Sequence, residues 1–166
     1  GDQQAVQNFA GCLNGRKVGD LLLLVDESGS LERTDPDGRR VTAAKYLLTQ
    51  LAGRADRAGI ALDVQVAGFA TEFDRDPGAW TTLTDASLAG LTAEVDAFAA
   101  RDDGQDTDYW TALDGARRSL ADHRTVGAGE AGRCQAVAWF SDGRLDITPA
   151  TAQQRRSDGS PAPTTN

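Results

Sequence analysis

Asp26, Ser28 and Ser30 stand at alternate positions directly after the apolar run Leu21-Leu22-Leu23-Leu24-Val25, so a carboxylate and two hydroxyls leave the core at one point. Oxygen donors of this kind suit a hard divalent cation. Two further segments carry the same chemistry. Thr107 lies in Asp106-Thr107-Asp108-Tyr109-Trp110-Thr111-Ala112-Leu113, a loop leading into a helix. Asp142 follows Val137-Ala138-Trp139-Phe140-Ser141, where a second apolar strand meets a turn at Gly143. Apolar residues in a row, with no polar alternation, read as a strand buried on both faces, the kind found in a parallel sheet covered by helices. In such sheets ligands gather beyond the carboxyl ends of the strands. Three separated segments are thus expected to deliver oxygen side chains to one sheet edge.

The Asp-x-Ser-x-Ser run, taken with Thr107 and Asp142, resembles the von Willebrand factor A (vWA) domain family and its metal-ion-dependent adhesion site, over residues 20 to 148. The resemblance implies a Rossmann-like α/β fold, a mostly parallel central sheet with helices on both faces. It also implies a ligand set: Ser28, Ser30 and Thr107 binding Mg²⁺ directly through their hydroxyls, and Asp26 and Asp142 acting through bound water. Mg²⁺ keeps several waters when few carboxylates bind it, and neutral hydroxyls leave most of its charge uncancelled. An ion so held takes a carboxylate from a partner protein as its last ligand. The implied function is therefore a noncatalytic, metal-dependent protein-binding module, for adhesion or scaffolding.

The chain departs from the family pattern at Gln105 and Asp106, which intervene between Gly104 and Thr107, and at Glu27. Both departures add negative charge, and extra carboxylate oxygens would favour Ca²⁺ or Mn²⁺ over Mg²⁺. Trp110, one helical turn after Thr107, is a candidate for contact with the partner, since Trp is enriched in binding hot spots. In the family's sheet order, the strands that follow Cys12 and Cys134 are parallel neighbours, which would put both thiols at the amino ends, opposite the metal. A disulfide there would tie down the N-terminal arm; two buried free thiols are the alternative. With the bridge, the protein belongs in an oxidising compartment and is expected to be secreted or at the cell surface.

The elements that must position these residues follow an alternating α/β order. Thr34-Asp35-Pro36-Asp37-Gly38 reads as a turn. Val41, Ala44, Leu47, Leu48, Leu51, Ala52 and Ala55 recur at helical spacing, with Gly59 as a stop. Leu62, Val64 and Val66 alternate before Gly68-Phe69 as a second strand, and Trp80 to Leu83 reads as a short antiparallel edge strand. Ser87 is the expected N-cap of a helix with Leu88, Leu91, Val95 and Phe98 inward. Another helix is expected from Tyr109 to Ala121, with Leu113, Ala116 and Leu120 inward. A complete domain of the family adds about two strands beyond the turn at Asp142, whereas here Ile147 leads into Thr148-Pro149 and a polar tail. The expected division is an N-terminal arm (1–19), a partial vWA domain (20–148) whose C-terminal part is truncated or missing, and a flexible linker or disordered insert (149–166). The strand ending at Phe140 would then be an unpaired edge.

Composition narrows the function classes. A chain of 166 residues, 40% hydrophobic, is enough for one packed domain. A net charge of −8 argues against nucleic acid as partner, because phosphate binding relies on clustered Lys and Arg. Glu32, Asp35, Asp37, Asp102, Asp103, Asp106, Asp108 and Asp146 read mostly as solvated acidic surface near the proposed site. No transmembrane segment is expected, as no apolar run approaches the roughly 18 residues a span needs. The chain contains no Met, so Gly1 is expected to begin a processed or trimmed piece. Structural zinc is not expected from two Cys and one His.

The chain is not expected to be an enzyme. A Ser nucleophile needs a base, yet His123 reads as lying at a helix end far from Ser28, and no Gly-x-Ser-x-Gly elbow occurs. Asp26 as a phosphoryl acceptor would want a second Asp where Ser28 stands. A metal-dependent hydrolase is therefore the weaker alternative. A chelatase-type vWA subunit of a larger intracellular machine is the other, favoured if Cys12 and Cys134 are reduced.

Overall fold

The uninterrupted apolar run becomes the centre of the molecule. In the computed structural model it forms β1 (Val18–Asp26), flanked by β2 (Ala61–Phe69) and β4 (Cys134–Ser141), both parallel to it. Two antiparallel strands, β3 (Thr81–Thr82) and β5 (Arg144–Pro149), close the edges in the order β3-β2-β1-β4-β5. Residues 2–26, 35, 37–69, 78–99, 109–126, 133–141 and 144–149 are described.

Successive side chains of a strand point to opposite faces, and β1 feeds two cores in this way. Leu21, Leu23 and Val25 pack with residues of α1 (Asp2–Arg16), α2 (Arg39–Ala58) and α3 (Asp85–Ala99), among them Leu13, Leu48 and Leu91. Leu22 and Leu24 meet Ala112, Leu113, Ala116 and Leu120 of α4 (Tyr109–Val126) on the other face. All five side chains of the run are at most 1% exposed. Each stabilises by about 1.5–3 kcal/mol relative to exposure. The expected mixed α/β architecture, a mostly parallel sheet with helices on both faces, is what these elements build.

Local signals explain most boundaries. Gly59 ends α2 in the left-handed conformation (φ 67°), a geometry glycine adopts without strain. The N-cap of α3 is Thr84, not the expected Ser87. Thr84 Oγ1 accepts from Ser87 N at 3.1 Å, while Ser87 Oγ accepts from Thr84 N at 2.9 Å. Ser87 therefore fills the third helical place of a reciprocal capping box, a role usually taken by Glu or Gln. Helix α4 runs on to Val126 rather than stopping at Ala121.

At the chain's flanks one expectation is overturned. The N-terminal arm is a helix, with Ala5, Phe9, Cys12 and Leu13 on its core face at helical spacing. It sits down closely on the sheet at Gly19, where an added Cβ would lie 2.5 Å from Leu13 Cδ2 and 2.9 Å from the Cys134 carbonyl oxygen. At the other flank, β4 is not an unpaired edge. β5 turns back along it, pairing Ser141 with Arg144 and Ala136 with Pro149. Ile147 and Thr148 are buried there, and Pro149 occupies the end of an edge strand, where a missing N–H is tolerated.

The disulfide forms between Cys12 and Cys134, with Cα atoms 5.9 Å apart across 122 positions of sequence. Cys134 is the register partner of Gly19, so the bridge lies at the amino ends of the parallel strands, as expected. Among the described residues, no helix is long and apolar enough to cross a membrane.

Candidate metal centre at the carboxyl edge of the sheet

The parallel alignment of β1, β2 and β4 puts their carboxyl ends on one edge. Val25 pairs with Phe140, which brings Asp26 level with Ser141, the residue before Asp142. Helix α4 runs from this edge towards the other. Its His123 reaches Asp63 and Asp20 at the strand beginnings, and its Ser119 reaches Gln65 of β2. From His123 back to Tyr109 is about 21 Å of helix, and from Asp20 to Asp26 about 20 Å of strand. Tyr109, two positions after Thr107, begins α4 at the end away from His123.

Asp26 ends the central strand and is 3% exposed. Its parity is that of Leu22 and Leu24, the face covered by α4. A buried carboxylate at the end of a central parallel strand fits a site for a hard cation. The other expected ligands, Ser28, Ser30, Thr107 and Asp142, lie outside the described residues, as do Glu27 and Asp106. Trp110 lies in the first turn of α4 at this same edge and is 60% exposed, open to contact.

Beside Asp26 is a buried group that sequence reading placed in solvent. Asp35 is 5% exposed and serves the start of α2, accepting from Arg39 N at 2.7 Å, Arg40 N at 3.1 Å and Arg40 Nη1 at 3.1 Å. Burial alone pushes its carboxyl up, but the hydrogen bonds from the Arg40 and Arg39 amides and the Arg40 guanidinium outweigh that and hold it below the ordinary aspartate value. Arg40 has two further bonds, from Nε to the Asp26 carbonyl at 3.0 Å and from Nη2 to the Ala99 carbonyl at 3.1 Å. An Asp just ahead of a helical pattern was the available signal; the burial of Arg40 had none.

A second polar cluster occupies the amino edge. Asp20, fully buried, Asp63 and His123 offer ligand atoms within 4.8 Å of one another, a spacing that could hold a metal ion. Arg133 offsets the Asp20 charge. Its Nε donates to Asp20 Oδ2 at 3.0 Å and its Nη2 to Oδ1 at 2.5 Å, a bidentate pair. Gln135 Nε2 adds a bond to Asp20 Oδ2 at 3.0 Å. Asp63 binds His123 Nε2 at 2.9 Å and accepts from Thr82 Oγ1 at 2.7 Å, and the His123 ring stacks on Trp80 with centroids 4.3 Å apart. All four carboxylate oxygens are engaged, those of Asp20 by Arg133 and Gln135 and those of Asp63 by His123 and Thr82. The cluster went unseen in the sequence, although Asp20 directly before the apolar run and Asp63 between Leu62 and Val64 were charged residues inside strand patterns. His123 lies within α4, at the opposite end of the sheet from Asp26.

No protein-family model matches the chain, and no curated protein matches it. Among solved structures, it is similar to the pilus adhesin SpaC from Lactobacillus rhamnosus GG in its open conformation, at 18% identity and a TM-score of 0.50, over 89% of this chain and 21% of the adhesin. A second crystal structure of SpaC matches at 13% identity and a TM-score of 0.48, over 84% of this chain and 20% of that one. The chain thus spans about a fifth of the adhesin's length, and the likeness is one of fold.

Proposed function

We propose that this chain is a metal-dependent protein-binding module of the von Willebrand factor A type. In this reading Asp26, Ser28, Ser30, Thr107 and Asp142 hold Mg²⁺, or Mn²⁺ or Ca²⁺, and the ion takes a carboxylate from a protein partner as its open ligand. The observation that carries it is the buried Asp26 at the carboxyl end of the central strand, level with Ser141 in the parallel register, each adjoining a segment that bears proposed ligands. Trp110, exposed at this edge, would contribute to the partner contact.

The reading draws support from the fold's likeness to a pilus adhesin, and the Cys12–Cys134 bridge is consistent with a surface or secreted protein. The bridge also favours it over an intracellular chelatase-type subunit. A binding role rather than hydrolysis is supported by His123, which is engaged with Asp63 at the far end of the sheet.

Thermal melts with and without Mg²⁺, Mn²⁺ and Ca²⁺ test the proposal. An ion at a hundred times its Kd stabilises the native state by about 2.7 kcal/mol, so the parent melts several degrees higher with the preferred ion. Asp142→Ala shows no such gain. A parent protein that gains nothing from any of the three ions ends the proposal.

A further inference from the structure

Helix α1 is poorly built to stay on the sheet by itself. Gly11 and Gly15 lie inside it, and an added Cβ at either position would meet nothing within 4 Å, so packing requires neither glycine. Each weakens the helix relative to alanine through backbone entropy. The helix ends at Lys17, whose φ of 65° lies in the left-handed region that favours glycine, with its N–H donating to the Leu13 carbonyl at 2.8 Å. Among the described side chains, no hydrogen bond or ion pair joins α1 to the rest of the fold; Gln4 Nε2 donates to Asn8 Oδ1 within the helix. What holds α1 down is the apolar contact of Ala5, Phe9 and Leu13 and the covalent bridge from Cys12 to Cys134. A 15-residue helix is marginal in water without tertiary anchors. Cys12 is the more accessible half of the bridge, half-buried where Cys134 is 3% exposed, and a cavity of about 200 Å³ lined by Asn8, Phe9, Cys12, Arg133 and Cys134 adjoins it.

We infer that α1 is a redox-released strap: the bridge latches it to β4, and reduction by a dithiol frees it while the sheet stays folded. A thiolate of the dithiol attacks Sγ of Cys12, the Cys12–Cys134 bond breaks, and Cys134 leaves as a thiolate. The second thiol of the reagent then displaces Cys12 from the mixed disulfide. The reagent ends as its own disulfide, the protons its thiols lose pass to the two cysteines, and the electron pair goes to the protein's sulfurs. Release uncovers Cys134, Ala136 and Ile147 on the strands beneath, and empties the space above Gly19 that Leu13 fills. The central strand keeps α2 and α3 on one face and α4 on the other, so its packing outlasts the strap. An oxidising compartment holds the strap latched.

Hydrogen exchange of the full chain in native buffer, read amide by amide before and after dithiothreitol, tests this. In the oxidised protein the amides of Phe9 to Leu13 should exchange at least about a hundredfold slower than an unstructured chain. After reduction they should come within about tenfold of it, while those of Leu21 to Leu24 stay at least about a hundredfold slower. The double variant Gly11→Ala, Gly15→Ala should recover about tenfold or more of the α1 protection in the reduced protein, by helix propensity alone. Four results overturn the inference: α1 unprotected in the oxidised protein, α1 still protected after reduction, α1 and β1 losing protection together, or a bridge that resists dithiothreitol until the whole protein unfolds. A double variant that recovers nothing overturns it as well, because the weakness of the helix would not be the cause of release.

Discussion

The two ends of the sheet treat their polar groups in opposite ways. At the amino edge, Asp20, Asp63, His123, Arg133 and Gln135 satisfy one another within a closed network, next to the Cys12–Cys134 bridge. At the carboxyl edge, the buried Asp35–Arg40 pair is joined also to backbone, to the amides that begin α2 and the carbonyls that end β1 and α3. A buried carboxylate paired with arginine contributes to holding the fold. Groups that bind main chain join the end of β1, the start of α2 and the end of α3. In a tight cluster of ligand atoms, charge that is already partly compensated leaves less for an ion to gain.

With the proposed ion site at the carboxyl edge, damage at the amino edge is expected to cost stability and leave ion binding unchanged. The largest effect is expected from removing the disulfide by replacing both cysteines with serine. Closing a loop of 122 positions is worth about 4–5 kcal/mol in the chain-entropy model. Urea unfolding should show that loss, with ion affinity of the remaining folded protein unchanged.

Asp20→Ala comes next, at about 3–5 kcal/mol, because it leaves the Arg133 charge without its buried bidentate partner. Denaturant curves measure it, again with ion response intact; a loss below about 1 kcal/mol would mean the network is as weak as an exposed pair.

Asp35→Asn is expected to cost about 1–3 kcal/mol at neutral pH, from a weakened cap and a buried Arg40 with less compensation. Its pH dependence has a definite sign. The folded carboxyl lies below its ordinary value, so its stabilisation is present above that value and is lost as pH falls through the lower folded one. Parent and variant should therefore converge in stability in acid, which melts across that range check. The smallest effect is a gain. Burial raises the Glu94 carboxyl, and its Oε2 is buried without a hydrogen-bond partner among the described residues. A raised acid contributes stability at low pH that is lost as pH rises, so Glu94→Gln should melt about 1–3 °C higher at pH 8, for a gain under about 1 kcal/mol.

How much was legible varies with the reach of the interaction. Leu21 to Val25, the Ala44–Ala55 stripe and the Gly59 stop were readable because each depends on neighbours a few positions away, through strand or helix periodicity and a single left-handed turn. Thr84 displaced Ser87 as cap because two hydroxyls three positions apart can play either role, and only the backbone geometry assigns them. The strand β5 was hidden because Leu145 to Pro149 is short and its partner, β4, is recognised only by pairing. The cluster at Asp20 was invisible for the same reason, its members lying 113 and 115 positions apart along the chain.

The amino-acid sequence by itself determined the two-sided central strand, the helices' inner faces, and the residue types available to hold a cation, because apolar periodicity and oxygen chemistry are properties of local order. Tertiary structure alone decided which acidic groups are spent within the fold. Asp20 and Asp35 are both carboxylates in an acidic chain; what separates them from solvent, and gives each its arginine, is the meeting of distant segments, and a charge buried in low dielectric persists only where such a meeting compensates it.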